Sequence, residues 1–442
     1  MSFMFLLSEF RNSVNSVKNS PAKDIDRRIG LSQTPAVRVL LINQVFHPDP
    51  QSTGQHLSGL AEGLVKRGHQ VTVLTSRRSY DDPEFCYPAR ETWRGIKIVR
   101  VWNSGCGYGA KWRRAADFFT FLLSAALRGL FLRRADVVVA LTTPPLVSVL
   151  GSALAKLWRG RFVYWVMDLN PDEAVAVGWL KPEGTMTHLL ETASRWSLRQ
   201  ADGIIVLDEY MRARAIAKSI EPEKIITVPI WVHSDVRFDP EGRERFRREH
   251  GLEGKFVVMY SGNHTPCHPL ETLVEAARLL RYDPQIHFCF IGGGIEWGKL
   301  RDLAKTEGWT NATFLGYQPF ETLSASLSSA DVQVVVMGDA FVGIVHPCKV
   351  YNFLAVERPF IYIGPERSHV TDLIQEAGLE KVTAAFRHGE NRALTEELKR
   401  RAHEAAAGKT PAWPPRERLA RWTESAIVEK IVLRVENSPK KM

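Results

Sequence analysis

Three glycine-bearing segments of the sequence could hold a phosphate group, because each follows a short apolar run where a strand would give way to a helix. Glycine lets a backbone approach a ligand closely, and free N–H groups at a helix start favour an anion. The segments are NQVFHPDPQSTGQH with Gly54, YSGNH with Gly262, Asn263 and His264, and IGGG with Gly292 and Gly293. None has the Gly-x-Gly-x-x-Gly spacing of a dinucleotide site. A turn with a helix cap explains any one of them equally well, so the prediction depends on their agreement.

A fourth segment, GDAFVGIVHPCKVYNFLAVER at 338–358, places a lysine near a helix start. Pro347 can begin a helix, which puts Lys349 and Asn352 in its first turn. A lysine there opposes the helix dipole, which prefers acidic side chains at that end. This unfavourable position predicts that Lys349 binds a negative group such as a diphosphate. A solvated lysine is the alternative interpretation.

Composition indicates an ordinary globular protein of more than one domain. The 442 residues exceed the size at which a single core stops growing, and 45% are hydrophobic against 24% charged. The five cysteines are scattered without a Cys-x-x-Cys pair, which argues against a disulfide framework or a zinc cluster and favours a reducing compartment. The net charge of +9 suits nucleic acid, anionic lipid or a pyrophosphate substrate.

The elements that must position these segments form two successive series of alternating strands and helices. Alternation of this kind predicts two α/β domains with doubly wound parallel sheets. The predicted strands of the first series are 37–42, 71–75, 96–101, 137–141, 162–167, 203–207 and 225–228. Those of the second series are 256–260, 287–291, 313–315, 332–336 and 360–363. Predicted helices in the second series are 270–280, 298–307 and 320–329, and the stretch 229–254 joins the two series.

These patterns divide the chain into four parts. They are a poorly ordered extension with a short amphipathic anchor (1–35), a first Rossmann-like domain (36–232), a second (233–414) and a terminal helix from Pro415 to Val435 with its tail (415–442). Ligands bind at the carboxyl ends of the strands in such sheets. The architecture therefore predicts a site in the cleft between the two domains.

The ordered set of motifs resembles the GT-B glycosyltransferases of the large retaining group called family 4. Among these, it is most similar to enzymes that build bacterial capsular, colanic-acid-like or O-antigen polysaccharides. The similarity extends from about residue 36 to 435. The motifs are FHPDPQSTGQHL, RGHQVTVLTS, VMDLNPD, ADGIIVLDEYM, YSGNHT, FIGGG, NATFLGYQP, LSSADVQVVVM and HPCKVYNFLAVERPFI.

The resemblance implies a hexosyltransferase whose second domain holds a nucleotide sugar, with UDP-sugars favoured, and whose first domain holds the acceptor. Lys349 would neutralise the diphosphate, and Asp168 would face the acceptor. The other donor-side candidates are Gly54, Gly262, Asn263, His264, Gly292, Gly293, Tyr351 and Asn352. The terminal helix would cross back onto the first domain.

The sequence departs from the family in its acidic motif. The usual Glu-x7-Glu is absent, and Asp339 and Asn352 stand roughly where the two acids would be, so Asp339 joins Lys349 and Asp168 as a candidate catalytic residue. The loop after the first strand of the second domain reads NHTPCH where many members have an Arg and a Lys. Positive charge and helix dipoles can stabilise the departing diphosphate without a metal ion, so we expect no metal or cofactor. Retention of configuration follows from the resemblance alone.

The segment 111–134, KWRRAADFFTFLLSAALRGLFLRR, combines an apolar run with basic ends. Arg128 interrupts the run, so it is too short to span a bilayer. Its composition resembles an interfacial segment that binds anionic lipid, although a core-packing helix with a basic end is the alternative. We expect a peripheral enzyme at the inner face of the plasma membrane, acting on a lipid-linked saccharide.

Three other functions remain open at this point. A nucleotide-sugar 2-epimerase on the same architecture would use acidic groups with histidines such as His47, His264 and His346. A nucleic-acid-binding protein would need a basic stripe with interleaved aromatics, whereas the basic clusters here are dispersed, so we expect no nucleic-acid partner. A non-catalytic partner subunit is the third.

Overall fold

A computed structural model describes residues 35–49, 51–79, 82, 84–106, 111–232, 235–409 and 411–438, apart from the side chains of Lys111 and Ile295. The predicted N-terminal extension with its amphipathic anchor lies outside the described residues except for Pro35. None of the helices in the described ranges is both long enough and apolar enough to cross a bilayer.

The first half of the chain forms an eight-stranded sheet in the order β3-β4-β2-β1-β5-β6-β7-β8. All neighbouring strands are parallel except β3, which pairs antiparallel with β4 at the edge. The strands are β1 Arg38–Ile42, β2 Gln70–Ser76, β3 Arg90–Trp93, β4 Ile96–Val101, β5 Val137–Ala140, β6 Arg161–Trp165, β7 Gly203–Val206 and β8 Ile225–Thr227.

Six helices connect these strands. They are α1 Ser52–Lys66, α2 Lys111–Leu130, α3 Val147–Trp158, α4 Asp172–Ala176, α5 Thr185–Gln200 and α6 Glu209–Ala217, and a 3₁₀ turn at Pro222–Lys224 precedes β8. The central strands are buried on both faces, which explains their nearly continuous apolar sequences.

The second half forms a six-stranded, all-parallel sheet in the order β11-β10-β9-β12-β13-β14. Its strands are β9 Phe256–Asn263, β10 Ile286–Gly293, β11 Ala312–Leu315, β12 Val332–Val336, β13 Phe360–Ile363 and β14 Thr383–Phe386. Its helices are α7 Pro240–Glu249, α8 Glu271–Leu279, α9 Ile295–Thr306, α10 Leu323–Ser328, α11 Lys349–Ala355, α12 His369–Ala377 and α13 Asn391–Ala406, followed by α14 Glu424–Asn437. Short 3₁₀ helices lie at Phe320–Thr322, Asp339–Phe341 and Arg416–Trp422. The predicted doubly wound fold is confirmed.

The structure corrects three predictions about individual elements. The joining stretch contains the helix α7, in which Arg243 and Arg247 form ion pairs with Asp331 of the second half. The helix predicted over 320–329 begins as a 3₁₀ turn. The helix predicted from Pro415 to Val435 is instead a 3₁₀ helix and α14, because Thr423 between them is extended.

The last helix returns to the first half of the chain. There α14 packs on α1, where a side chain at Gly63 would collide with Val428. The buried Glu436 accepts hydrogen bonds from Arg67 at 2.7 Å and contacts Nε2 of His69 at 2.8 Å. Arg67 raises the stability of the carboxylate by hydrogen bonding, and the pKa of Glu436 is lowered despite its burial. The two halves are therefore joined by packing and by buried charge.

Candidate functional site

Two neighbouring strands, β9 and β10, carry glycines at their carboxyl ends, which form one edge of the second sheet. Gly262 lies in register with Gly292, and both have positive φ angles, +136° and +132°, that favour glycine. A side chain at Gly292 would collide with the carbonyl oxygen of Gly262. The sequence patterns placed these glycines in loops after the strands. That placement is wrong, because the parallel pairing continues to Asn263 and Gly293.

Lys349 begins α11 and reaches this edge. Its Nζ lies 3.6 Å from the centre of the Tyr260 ring, and a side chain at Gly262 would come within 2.9 Å of it. The nitrogen is buried and has no hydrogen-bond partner among the described residues. Burial lowers the pKa of Lys349 to about 7. A buried cation without a counter-charge is unfavourable by itself, so the arrangement suits an anionic ligand.

Two histidines lie close to Lys349. His264 is fully buried, and its ring packs edge-on against Tyr260 at 4.8 Å. His268 is half-buried, and its Nδ1 lies 2.8 Å from the carbonyl oxygen of Val336. Burial, followed by the charge of Lys349, lowers the pKa of His264 to about 4 and that of His268 to about 3. His264 was a predicted site residue, whereas the sequence patterns did not single out His268.

Two carboxyl groups face this site from the first half of the chain. Asp168 follows β6 and Glu173 lies in α4. Burial raises the pKa of both groups, and the charge of Glu173 raises that of Asp168 further. The Sγ of Cys267, in the second half, lies 3.9 Å from Oε1 of Glu173. Glu173 was not predicted; its position five residues after Asp168 in the same post-strand segment was the available signal.

The two halves also touch through the loops that carry the other predicted residues. The hydroxyl of Ser52, at the start of α1, lies 3.4 Å from Sγ of Cys348. The backbone N–H of Leu169 donates to the carbonyl of Ile344 at 2.9 Å. The carboxyl ends of the two sheets therefore meet at one cleft, with Lys349 on one side and Asp168 on the other.

Two predicted glycines are explained by neighbouring side chains. Gly54 lies in the first turn of α1, where a side chain would come 3.0 Å from Val45 of the preceding loop. Gly54 thus allows the helix to pack closely on that loop. A side chain at Gly293 would come 2.8 Å from the ring of Tyr317, so Gly293 lies beside an exposed aromatic residue at the sheet edge.

The remaining predicted residues are spread around α11. Asn352 is half-buried and follows Lys349 by about one turn. Tyr351 is buried, and its hydroxyl lies 3.0 Å from Nε2 of His346. Asp339 is exposed at the start of a 3₁₀ helix. The structure therefore brings Lys349 together with Gly262, Asn263, His264 and Gly292, and it places Tyr351 and Asp339 in other surroundings.

One buried cluster has the side chains of a metal site. Asp208, His346 and His369 offer ligand atoms within 4.8 Å of one another. Asp208 accepts a hydrogen bond from Nδ1 of His346 at 2.8 Å, and the hydroxyl of Tyr351 hydrogen-bonds to Nε2 of the same ring. The His346 and His369 rings are stacked at 3.8 Å, so their in-plane lone pairs do not converge on one point. The cluster fits a hydrogen-bonded link between the two halves better than a metal centre.

The histidines considered for an epimerase lie in separate surroundings. His47 stacks on Trp93 at 4.0 Å near the edge of the first sheet. His264 bonds to Gly262, and His346 bonds to Asp208. They do not form one acid–base group, which favours the transferase interpretation.

The helix α2 exposes an apolar stripe. The spacing of its exposed large apolar residues is that of one helix face, opposite the buried Phe121 and Ala125. The exposed residues are Trp112, Phe119, Leu123, Leu127 and Leu130. Arg113, Arg133 and Arg134 are exposed near its two ends.

Comparisons with known proteins match both halves of the chain. Residues 53–231 match the family model described as "Glycosyl transferase 4-like domain", and residues 242–346 match "Glycosyl transferases group 1". A relative from Escherichia coli (strain K12), described as "Putative colanic acid biosynthesis glycosyl transferase WcaI", is 28% identical over 336 residues, covering 72% of this chain and 81% of the relative.

Solved structures share the fold at low identity. Sucrose-phosphate synthase from Thermosynechococcus elongatus has a TM-score of 0.67 at 17% identity, covering 89% of this chain and 97% of that one. Anabaena Alr3699/HepE in complex with UDP-glucose has a TM-score of 0.60 at 13% identity, covering 91% and 96%. The chain therefore has the GT-B fold and carries a glycosyl transferase 4-like domain followed by a glycosyl transferases group 1 domain.

Proposed function

We propose that this glycosyltransferase moves a hexose from a nucleoside diphosphate sugar to a saccharide acceptor. The observation that carries the proposal is the buried, unpartnered Nζ of Lys349 at the glycine edge of β9 and β10, within the part of the chain that the structure describes. A diphosphate leaving group supplies the negative charge that this nitrogen lacks. The bond from the sugar to the diphosphate then breaks with its developing charge next to a cation.

The other side chains divide between donor and acceptor. His264 lies near Lys349, and Asn352 follows Lys349 in the same helix. Both would contact the donor together with Asn263, and the glycines at 262, 292 and 293 would let the donor approach the backbone. Asp168 would hydrogen-bond an acceptor hydroxyl from the opposite side of the cleft. In this proposal the sugar keeps its anomeric configuration, and no metal ion takes part. The UDP-glucose complex of HepE, a protein of the same fold, supports a UDP-sugar as the donor.

The acceptor in this proposal is a lipid-linked saccharide of cell-surface polysaccharide synthesis. The description of WcaI names colanic acid biosynthesis, which supports this pathway class. The exposed stripe of α2 supports a membrane location, since apolar side chains with basic neighbours suit the surface of an anionic bilayer. Met186, Leu189 and Trp196 of α5 are also exposed apolar side chains, and α3 packs against both α2 and α5. We place the enzyme peripherally at the inner face of the plasma membrane.

A panel of nucleotide sugars tests the donor proposal. Binding and turnover of UDP-, GDP- and ADP-sugars would be measured for the wild type, Lys349→Ala and the control Lys305→Ala, which removes an exposed lysine of α9. We expect one nucleotide sugar to be turned over by the wild type and the control but not by Lys349→Ala. Failure of every nucleotide sugar to bind at millimolar concentration would reject the donor site.

Vesicle flotation tests the membrane surface independently. Leu127→Glu should reduce binding to vesicles that contain anionic lipid, whereas Leu279→Glu on α8 should not. The two leucines are matched controls because each is 56% exposed on a helix. Equal flotation of both variants and the wild type would show that α2 does not contact the membrane.

A further inference from the structure

Lys349, His264 and His268 form a basic group around one aromatic ring and its neighbouring loop. The ring of Tyr260 contacts both Nζ of Lys349, at 3.6 Å, and the ring of His264, at 4.8 Å. His268 follows four residues later and is close enough for the charges of Lys349 and His264 to act on it. Three groups that can each carry a positive charge thus converge where the strands β9 and β10 end.

Backbone carbonyls fix the tautomer of both histidines. Nδ1 of His264 lies 3.0 Å from the oxygen of Gly262, and Nδ1 of His268 lies 2.8 Å from the oxygen of Val336. A carbonyl oxygen only accepts, so each Nδ1 carries a hydrogen and donates it. In the neutral ring Nε2 therefore presents a lone pair. Nε2 of His264 is buried and lacks a hydrogen-bond partner within the described ranges.

A lone pair cannot bind a phosphate oxygen, because both are acceptors. Each histidine can contact a diphosphate only if its Nε2 first gains a proton. We propose that His264 and His268 bind the diphosphate of the donor together with Lys349, and that they take up protons from solution as it binds. The proposal rests on the transferase function proposed above.

The surroundings of the two histidines explain why they take up protons only when the ligand binds. Around the three basic side chains lie the Tyr260 ring under Nζ of Lys349, the thiol of Cys348, which acts on Lys349, the thiol of Cys267, next to His268 in the chain, and His369, on which His268 acts. The closest carboxyls on the opposing loops, Asp168 and Glu173, act on those thiols. Burial holds the pKa of Lys349 near 7, and burial together with repulsion from Lys349 holds the pKa of His264 near 4 and that of His268 near 3. Two negative phosphates would offset both effects and raise all three pKa values.

The consequence is a binding affinity that falls as the pH rises. Protons taken up on binding make the association constant decrease with pH, in proportion to their number. At pH 8, Lys349 can account for about one proton at most. At pH 6 the free enzyme already holds that proton, because the pKa of Lys349 is about 7. Uptake at pH 6 therefore reports the histidines.

Titration calorimetry of the intact chain with UDP-glucose measures this uptake. UDP-glucose suits the experiment because its diphosphate is a diester that does not titrate near neutral pH. The heat would be compared at pH 6 and pH 8 in pairs of buffers with different ionisation enthalpies. We expect uptake of about one proton or more at pH 6 in the wild type. His264→Gln and His268→Gln should each reduce it and weaken binding by about tenfold, whereas the control His287→Gln on β10 should do neither.

The possible outcomes separate the proposal from the function on which it rests. If UDP-glucose binds the wild type at pH 6 without proton uptake, the histidines do not charge, and Nε2 of His264 instead accepts from a sugar hydroxyl. Normal uptake in both glutamine variants would also overturn the proposal. If neither UDP-glucose nor any other nucleotide sugar binds, the donor site itself fails. The wild-type measurement stands even if a variant does not fold.

Discussion

Lys218 is a buried lysine and Lys349 is a half-buried lysine whose Nζ is buried, and the surroundings of the two nitrogens differ. Nζ of Lys218, in the first half, lies 2.7 Å from Asp172 and 2.8 Å from Glu191. Nζ of Lys349, in the second half, has an aromatic ring at 3.6 Å and no hydrogen-bond partner among the residues described. Two carboxylates of the protein neutralise the charge of Lys218, whereas the charge of Lys349 is available to an anionic ligand.

The comparison separates a structural charge from a functional one. Lys218 with its two carboxylates joins α4, α5 and the end of α6, so its loss should affect folding. Among the described residues, Lys349 has only the Tyr260 ring and the thiol of Cys348 to favour its charge, and no carboxylate. Its loss should therefore affect binding and catalysis, and it should remove the free-energy penalty of burying this charge. Each of the following experiments tests one side of this contrast.

The largest effect is expected from Lys349→Ala on the transfer rate. Removal of the cation beside the leaving diphosphate should lower kcat/KM by about 1,000-fold. Lys218→Ala enzyme that remains folded should keep most of its activity. Initial rates with the donor found in the panel measure both, and equal losses would contradict the distinction between the two lysines.

A smaller effect, on stability, is expected from Lys218→Ala. Without Lys218, the half-buried carboxylate of Asp172 loses its counter-charge and that of Glu191 keeps only Arg195, so the free energy of unfolding should fall by about 2 kcal/mol. Urea denaturation gives this value. Lys299→Ala is the control, since its pair with Glu296 is largely exposed and should contribute less than about 0.5 kcal/mol. A change no larger than that of the control would show that Lys218 is not structural.

The glycine edge can be tested with a matched pair of substitutions. Gly292→Ala introduces a side chain at a positive φ and against the carbonyl of Gly262, so nucleotide-sugar affinity should fall by about tenfold or more. Gly298→Ala lies in α9 with open space around it and should be neutral or slightly stabilising. Calorimetric affinities distinguish the two. Unchanged affinity in a folded Gly292→Ala variant would show that the donor does not bind against the glycines at the ends of β9 and β10.

The smallest effect concerns the pH dependence of stability in Lys349→Met. The pKa of Lys349 falls from 10.5 to about 7 on folding, so burial disfavours the folded state fully below pH 7. The penalty shrinks as the pH rises towards the unfolded pKa and disappears above it. Lys349→Met should therefore raise the melting temperature by a few degrees at pH 6 to 7 and by progressively less up to pH 10. A gain that does not vary with pH would indicate better packing instead of a removed charge.

The alternation of apolar runs was sufficient to predict both sheets, because their central strands are buried on both faces. The two strands it missed lie at sheet edges. Arg90–Trp93 of β3 is partly exposed and reads RETW, and Thr383–Phe386 of β14 contains two alanines in four residues. These two edge strands lack the continuous apolar run on which the prediction depended, whereas the edge strands β8 and β11 were predicted.

The site was predictable where function constrains neighbouring residues in the chain. Lys349 follows from Pro347 and the helix start, and the glycines follow from the strand ends. Glu173 and His268 were missed because their roles depend on distant contacts. His268 bonds to Val336, 68 residues away, and Glu173 approaches Cys267 across the cleft.

The most direct test is a structure of the protein with its nucleotide sugar bound. We expect a diphosphate oxygen within about 3 Å of Nζ of Lys349, beside Gly262 and Gly292. A diphosphate bound elsewhere, with Nζ of Lys349 still unpartnered, would contradict the assignment of this lysine as the donor's counter-charge.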